Sequence, residues 1–150
     1  MREERMKEET RRAVLDAIRD HPQIVRAAIT GSFARKRASD EYSDLDLLIV
    51  ARNLDEVRSV RGWLPQRDDV LISAFHLSHY CTILLRGSEK IDLALFSVDQ
   101  PSSSWVVHDY KIIKGDEAFE GELALAAIST RERAGHPNPD VAWIMCSSFL

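Results

Sequence analysis

Apolar positions recur along the chain with two different periods, and this separates predicted helices from predicted strands. Apolar residues at helical spacing predict a first helix over residues 2–20 and an amphipathic helix over 54–64 that Pro65 ends. The same spacing predicts a later helix over 121–135, with Gly135 at its end. Residues 33–37 are basic and predict a short helix after a break at Gly31.

Shorter apolar runs predict the strands of a sheet. Residues 44–51 give the clearest strand, because their apolar run is continuous, as in a strand buried on both faces. Gly87 and Ser88 separate two further runs and predict a hairpin. Residues 105–113 are apolar, but their pattern does not decide between helix and strand. The predicted strands are 24–30, 44–51, 70–75, 80–86 and 90–98.

Charge and composition narrow the classes of protein. The 150 residues fit one ordinary domain, and 20 Lys and Arg against 24 Asp and Glu give a net charge of −4. This acidic balance argues against an extended nucleic acid as the main ligand. The charged N-terminus is not a signal peptide, no apolar run is long enough to span a membrane, and two cysteines make no disulfide framework. These features predict a cytoplasmic protein.

Three aspartates stand near the starts of two predicted strands. Asp44 and Asp46 share one face of the strand 44–51, because side chains alternate along a strand. Asp92 takes the corresponding place in the strand 90–98, and apolar residues continue each of these faces into the core. If the two strands lie side by side in register, the three carboxylates converge at one edge of the sheet.

Such a cluster needs a compensating cation, because neighbouring carboxylates repel one another. Oxygen ligands on a small scaffold favour Mg²⁺, and two such ions stabilise the attacking and leaving oxygens of a phosphoryl displacement. Gly31 and Ser32 follow a predicted strand and precede a predicted short helix. Backbone N–H groups at that place suit a phosphate, and the Ser32 hydroxyl adds a donor.

The run GSFARKRASDEYSDLDLLIV, residues 31–50, resembles the signature of the polymerase-β-type nucleotidyltransferase superfamily. Its details are similar to those of minimal and antibiotic-modifying nucleotidyltransferases, and KIDLALF at residues 90–96 supplies the third carboxylate. The resemblance covers about residues 24–98 and implies an α/β (α+β) nucleotidyltransferase fold, a mixed sheet of about five strands flanked by helices. One departure is Lys36, which stands where many relatives have glycine.

The resemblance also implies an activity, the transfer of NMP from an NTP, with ATP the expected donor, to a hydroxyl with release of pyrophosphate. Gly31 and Ser32 would bind the β- and γ-phosphates, and Arg35 is the best candidate for a further triphosphate contact. Asp44 and Asp46 would hold two Mg²⁺ ions. Asp92 would complete one metal site and help to deprotonate the acceptor hydroxyl.

The identity of the acceptor stays open. The acidic charge favours a small molecule, such as an antibiotic, or a protein side chain. An alternative function is that of a minimal nucleotidyltransferase antitoxin, which binds or nucleotidylates a partner toxin. The small size favours this alternative, whereas the long segment after residue 98 counts against it. A catalytically silent binding module is disfavoured by the three aspartates.

Several other residues are interpreted as structural. His76 and His79 have the spacing of metal ligands, but they flank a predicted turn without a third ligand, so they are interpreted as turn histidines. Cys81 and the tryptophans at apolar positions are interpreted as core residues; the tryptophans are Trp63, Trp105 and Trp143.

The C-terminal segment predicts a buried helix. Asp140 is placed to cap it, and residues 141–150 carry no charge. We therefore predict a nucleotidyltransferase domain over residues 1–135 and an apolar C-terminal helix over 136–150. Two explanations fit this helix: it begins a further helical domain, or it packs across the interface of a homo-oligomer. We predict the second, a homodimer or higher oligomer in which Trp143 and Phe149 are buried by another chain or against their own domain.

Overall fold

The computed structural model of the chain describes residues 2–31, 45–76 and 79–134. Several sequence-based predictions therefore lie outside the described residues. They concern the basic helix at 33–37, the end of the last helix at Gly135, the C-terminal segment 136–150, and the candidate site residues Ser32, Arg35 and Asp44.

The described elements follow the predicted order closely. The helices are α1 (Arg2–Asp20), α2 (Leu54–Arg58) and α3 (Glu117–Ala134). The strands are β1 (Ile24–Thr30), β2 (Leu45–Ala51), β3 (Val70–His76), β4 (Tyr80–Leu85), β5 (Glu89–Ser97) and β6 (Tyr110–Lys114). Single 3-10 turns lie at Val60–Gly62, Arg67–Asp69 and Ser102–Ser104.

The strands form one mixed sheet in the order β3-β4-β5-β2-β1-β6. β2 and β5 pair in parallel, and the other described pairs are antiparallel. Every residue of β2 is buried except Asp46, which is half-buried. The prediction of a continuous buried strand at this place is confirmed, and the α+β fold with a mixed sheet flanked by helices is confirmed with it.

Each face of the sheet packs on its own core. The first face, with Leu47, Ile49 and Leu93, is covered by Val14 and Ile18 of α1 together with residues around α2. This is the result of the helical apolar spacing in α1. The second face packs against α3 and the loop that precedes β6; its core residues include Leu48, Val50, Phe96, Trp105, Phe119 and Leu123.

The helix predicted over 54–64 was wrong beyond Arg58. Asn53 caps α2 by accepting hydrogen bonds from the backbone N–H groups of Asp55 and Glu56. The helix stops at Ser59, whose backbone N–H and hydroxyl both donate to the Asp55 carbonyl. The N–H bond is the last one of the helix, the hydroxyl competes with it for the same carbonyl, and Ser59 then takes a non-helical conformation with ψ 66°. The chain then continues as the 3-10 turn at Val60–Gly62.

Two further differences concern the last part of the described chain. The ambiguous run 105–113 provides a buried loop and then β6, which adds a sixth strand beside β1. α3 begins at Glu117 rather than at residue 121, because Asp116 caps it by accepting a hydrogen bond from the Phe119 N–H at 3.0 Å. None of the helices in the described part of the chain is long and apolar enough to cross a membrane.

Candidate active site

One residue from each strand lies in a single row across the second face of the sheet. The pairing of neighbouring strands defines this row, because directly paired residues project to the same side of a sheet. We call it the site row; its members, from one edge to the other, are Tyr110, Thr30, Asp46, Asp92, Thr82 and Ala74. Two carboxylates therefore stand at the centre of the sheet.

Asp46 and Asp92 are direct partners in the parallel pair β2 and β5. Neighbouring strands lie about 4.8 Å apart, so the two carboxylates share one small volume. Further along the same face, Leu48 of β2 and Phe96 of β5 are almost fully buried, and Ala94 between Asp92 and Phe96 is partly buried. The predicted in-register arrangement of these two aspartates is confirmed.

Gly31 brings the end of β1 against the Asp46 carboxylate. The residue before it, Thr30, is the partner of Asp46 in the site row. Gly31 has φ +69°, and a Cβ atom at this position would lie 3.1 Å from Asp46 Cγ and would collide with Asp46 Oδ2. Glycine is required here for two reasons, the left-handed backbone and the contact with the carboxylate.

Two neighbouring side chains hold Asp92. Thr82 Oγ1 donates a hydrogen bond of 2.8 Å to Asp92 Oδ1, and His76 Nε2 lies 2.9 Å from the same Thr82 oxygen. Lys90 Nζ lies 3.3 Å from Asp92 Oδ2, and the two side chains are 20% and 18% exposed. This second contact is an ion pair and not a hydrogen bond. The buried Asp92 Oδ2 has no hydrogen-bond partner among the described residues.

Burial shifts the ionisation of the side chains around this end of β4. Burial, and then the charge of Asp92, raises the pKa of the Cys81 thiol to about 11. Burial also lowers the pKa of His79 and raises the pKa of Tyr80. All three side chains are therefore held in their neutral forms near pH 7. The core role predicted for Cys81 agrees with its 1% exposure.

The donor chemistry of the site fits a hard divalent cation. Asp46 and Asp92 offer carboxylate oxygens side by side, and the buried Asp92 Oδ2 has no hydrogen-bond donor among the described residues. Within the described ranges, no group of three or more His, Cys, Asp or Glu side chains is arranged to hold a metal ion. The third predicted carboxylate, Asp44, lies outside those ranges.

Sequence reasoning placed part of this site correctly and missed part of it. Gly31, Asp46 and Asp92 come together as predicted, whereas the positions of Ser32, Arg35 and Asp44 stay predictions. Thr82 was not singled out, and His76 was interpreted as a turn residue although it ends β3 and reaches Thr82. The overlooked signal is the hairpin at Gly87 and Ser88, since counting back along its two strands places Thr82 opposite Asp92.

The family assignment rests on a comparison with protein-family profiles. The profile described as "Nucleotidyltransferase domain" matches residues 11–98, which is more than half of the chain and includes the central site row from Thr30 to Asp92. The chain belongs to the nucleotidyltransferase domain family. It is thus an enzyme of the polymerase-β-type nucleotidyltransferase superfamily, as its sequence motifs predicted, and enzymes of this family use an NTP and a divalent metal ion.

The other comparisons add little to this assignment. One solved structure similar to the chain is a crystal structure of a mutant of the toxin-antitoxin MntA-HpeT. It is 15% identical, the match covers 99% of this chain and 98% of that chain, and the TM-score is 0.37. A similarity at this level does not bear on the activity or partners of this chain. No curated protein matches the chain.

Proposed function

We propose that the enzyme transfers NMP from an NTP, with ATP as the first donor to test, to the hydroxyl group of an acceptor, and that Mg²⁺ supports this reaction. The observation that carries the proposal is the direct pairing of Asp46 with Asp92, with Gly31 against the Asp46 carboxylate. A carboxylate pair beside an open backbone turn suits a metal-bound triphosphate.

In this proposal the acidic side chains hold the cation and the turn receives the triphosphate. Asp46 and Asp92, together with Asp44, would bind two Mg²⁺ ions, which supply positive charge to the phosphate oxygens when bound. Because Gly31 has no side chain, the triphosphate can approach the backbone closely. Ser32 and Arg35 would donate to the β- and γ-phosphate oxygens.

Asp92 has a second role in the proposed reaction. The acceptor hydroxyl gives its proton to Asp92, and the acceptor oxygen then attacks the α-phosphorus. The bond between the α-phosphorus and the bridging oxygen breaks, and pyrophosphate leaves with the electron pair. Asp92 suits this role because its Oδ2 is buried and, beside the ion pair with Lys90, accepts no hydrogen bond within the described part of the chain.

The chemistry of the chain favours a small molecule or a protein as acceptor. With a net charge of −4, the protein lacks the basic excess expected for an extended nucleic acid ligand. We therefore propose a hydroxyl of a small, antibiotic-like molecule or of a protein side chain. A partner toxin is one protein acceptor that belongs among the candidates to be tested.

The decisive experiment follows the position of the label. The full chain is incubated with Mg²⁺, panels of small hydroxyl compounds and proteins, and ATP labelled at the α- or the γ-phosphate. Nucleotidyl transfer moves the α-label to the acceptor and leaves the γ-label in pyrophosphate. Transfer of the γ-label would show a kinase instead and contradict the proposal, and preferential labelling of one protein would favour the antitoxin alternative. The matched controls are Asp46→Asn and Asp92→Asn.

A further inference from the structure

A chain of hydrogen bonds reaches Asp92 from the edge of the sheet. Thr82 Oγ1 donates to Asp92 Oδ1 at 2.8 Å, and His76 Nε2 lies 2.9 Å from Thr82 Oγ1. The three residues come from three neighbouring strands, β5, β4 and β3, and each is partly buried. The structure thus links the edge strand to a carboxylate at the centre of the site.

The proton count fixes the direction of both hydrogen bonds. A threonine hydroxyl has one proton, and an ionised carboxylate can only accept. When Asp92 is ionised, the Thr82 hydroxyl donates its hydrogen bond to Asp92 Oδ1. The Thr82 oxygen can then only accept the hydrogen bond that it shares with His76. His76 Nε2 must therefore carry a hydrogen. The ring of His76 is held for this by stacking on Tyr80, with centroids 6.0 Å apart and an angle of 15° between the planes.

The hydrogen bond determines which carboxylate oxygen faces the site. Rotation about the terminal torsion of aspartate is broad, so the orientation of a carboxylate depends on its partners. Thr82 lies on β4, on the side of β5 opposite to β2 and Asp46. It therefore holds Oδ1 on that side, and Oδ2, which forms the ion pair with Lys90 Nζ at 3.3 Å, is the oxygen that no described hydrogen bond occupies.

We propose that Thr82 and His76 are positioning residues for Asp92. Thr82 orients the carboxylate so that Oδ2 is presented to the cation and to the acceptor, and His76 holds the Thr82 hydroxyl in the donating direction. The inference rests on the role proposed above for Asp92. Removal of such an outer hydrogen bond to a metal ligand reduces metal affinity or activity by about 10–100-fold.

The first test compares Thr82→Val with Thr82→Ser in the full chain. Valine keeps the shape and loses the hydroxyl, whereas serine keeps the hydroxyl. Mn²⁺ affinity is measured from the electron paramagnetic resonance signal of the free ion, in the presence of an ATP analogue with a methylene between the α- and β-phosphorus. Thr82→Val is expected to lower Mn²⁺ affinity or kcat by about 10–100-fold with little change in KM for ATP, and Thr82→Ser is expected to restore most of the loss.

The second test asks whether His76 acts on Asp92 by way of the Thr82 hydroxyl. His76→Phe keeps a ring to stack on Tyr80 but has no N–H, and His76→Gln offers an amide N–H instead. His76→Phe should reduce Mn²⁺ affinity or kcat less than Thr82→Val does, and His76→Gln should recover part of this loss. The double variant of Thr82→Val and His76→Phe should be no worse than Thr82→Val, because His76 acts only through the hydroxyl.

The outcomes separate this inference from the proposed function. If Asp92→Asn is inactive while folded Thr82→Val keeps wild-type kcat and Mn²⁺ affinity, the positioning role is wrong and the proposed function stands. Equal losses in Thr82→Val and Thr82→Ser would also contradict it, since the hydroxyl would not matter. If Asp92→Asn remains active, the role proposed for Asp92 is wrong and this inference fails with it, whereas transfer of the γ-label would contradict the proposed function itself. Should Thr82→Val not fold, His76→Phe against His76→Gln decides the question.

Discussion

The two faces of the strand pair β2 and β5 differ although they share one backbone register. On the first face the first three facing pairs are apolar and almost fully buried, and Ser97 follows only in the fourth pair, opposite Ala51; the six apolar residues are Leu45, Leu47, Ile49, Ile91, Leu93 and Leu95. On the second face the first facing pair is Asp46 and Asp92, and only the pairs further along the two strands are apolar. Asp46 stands between Leu45, at 6% exposure, and Leu47, at 1%.

This difference arises from what covers each face. α1 and the residues around α2 pack along the first face. On the second face, α3 and Trp105 pack against Leu48, Val50 and Phe96. The carboxylates are thus held by strands that a complete core on the opposite face makes rigid. Rigid support of this kind is what a site needs if its charged groups are to keep a fixed geometry.

Removing a carboxylate should give the largest effect. Asp46→Asn or Asp92→Asn is expected to reduce nucleotidyl transfer by about 10²–10⁴-fold, the usual range for a catalytic proton-transfer or charge-bearing group. Pyrophosphate release in the presence of Mg²⁺ measures this loss. The melting temperature of Asp46→Asn in metal-free buffer should not fall, because the substitution relieves repulsion from Asp92. Activity near that of the wild type in either variant would contradict the assigned roles.

A substitution at Leu47, the residue next to Asp46, should lower the stability of the fold and leave the catalytic rate unchanged. Leu47→Ala removes a side chain from the core of the first face and is expected to lower the free energy of unfolding by about 2–5 kcal/mol. Denaturant unfolding measures this change. Because Leu47 points away from the site row, kcat per folded molecule should stay close to that of the wild type. A large fall in kcat with unchanged stability would show that the two faces are not independent.

The sequence could predict the elements that have a local pattern of apolar and polar residues, and it could not predict those that depend on other contacts. The apolar run 45–51 and the alternation after Asp92 are signals of the local pattern, so the central strands and their aspartates were predictable. The end of α2 was not, because it depends on the competing hydrogen bonds of Ser59. Strand β6 gave no distinct pattern of its own, and its pairing with β1 decides its structure.

The contacts of Thr82 and His76 depend on two strand pairings at once. The β4–β5 hairpin places Thr82 opposite Asp92, and the β3–β4 pairing places His76 opposite Tyr80. A pattern within one strand carries no information about such a combination. The predicted hairpin could have supplied the first pairing, whereas the direction of the His76 ring is set by its tertiary contacts with Thr82 and Tyr80.

A substitution at Gly31 should lower both the stability of the fold and the affinity for NTP, each to a smaller degree than the substitutions above. Gly31→Ala forces a side chain into φ +69° and is expected to cost about 1–2 kcal/mol of stability. It also displaces the Asp46 carboxylate, so NTP affinity measured by calorimetry should fall by more than the loss of stability explains. Gly62→Ala is the matched control, because a Cβ there meets nothing within 4 Å. Equal NTP affinities in the two variants would separate Gly31 from the nucleotide site.

The smallest expected effect concerns α3, the helix that packs on the second face. Here we expect a gain in stability, whereas the substitutions at Leu47 and Gly31 are expected to lower it. Gly121 lies inside α3, its position is exposed, and an added Cβ would meet nothing within 4 Å. Alanine loses less backbone entropy than glycine when a helix forms, so Gly121→Ala should raise the stability by about 0.5–1 kcal/mol. In a chain of this size that corresponds to a rise in melting temperature of up to about 4 °C. α3 packs on the apolar part of the second face, around Leu48 and Phe96. A firmer α3 should therefore leave kcat and NTP affinity unchanged. A gain in melting temperature accompanied by a loss of activity would show instead that movement of α3 is part of the catalytic cycle.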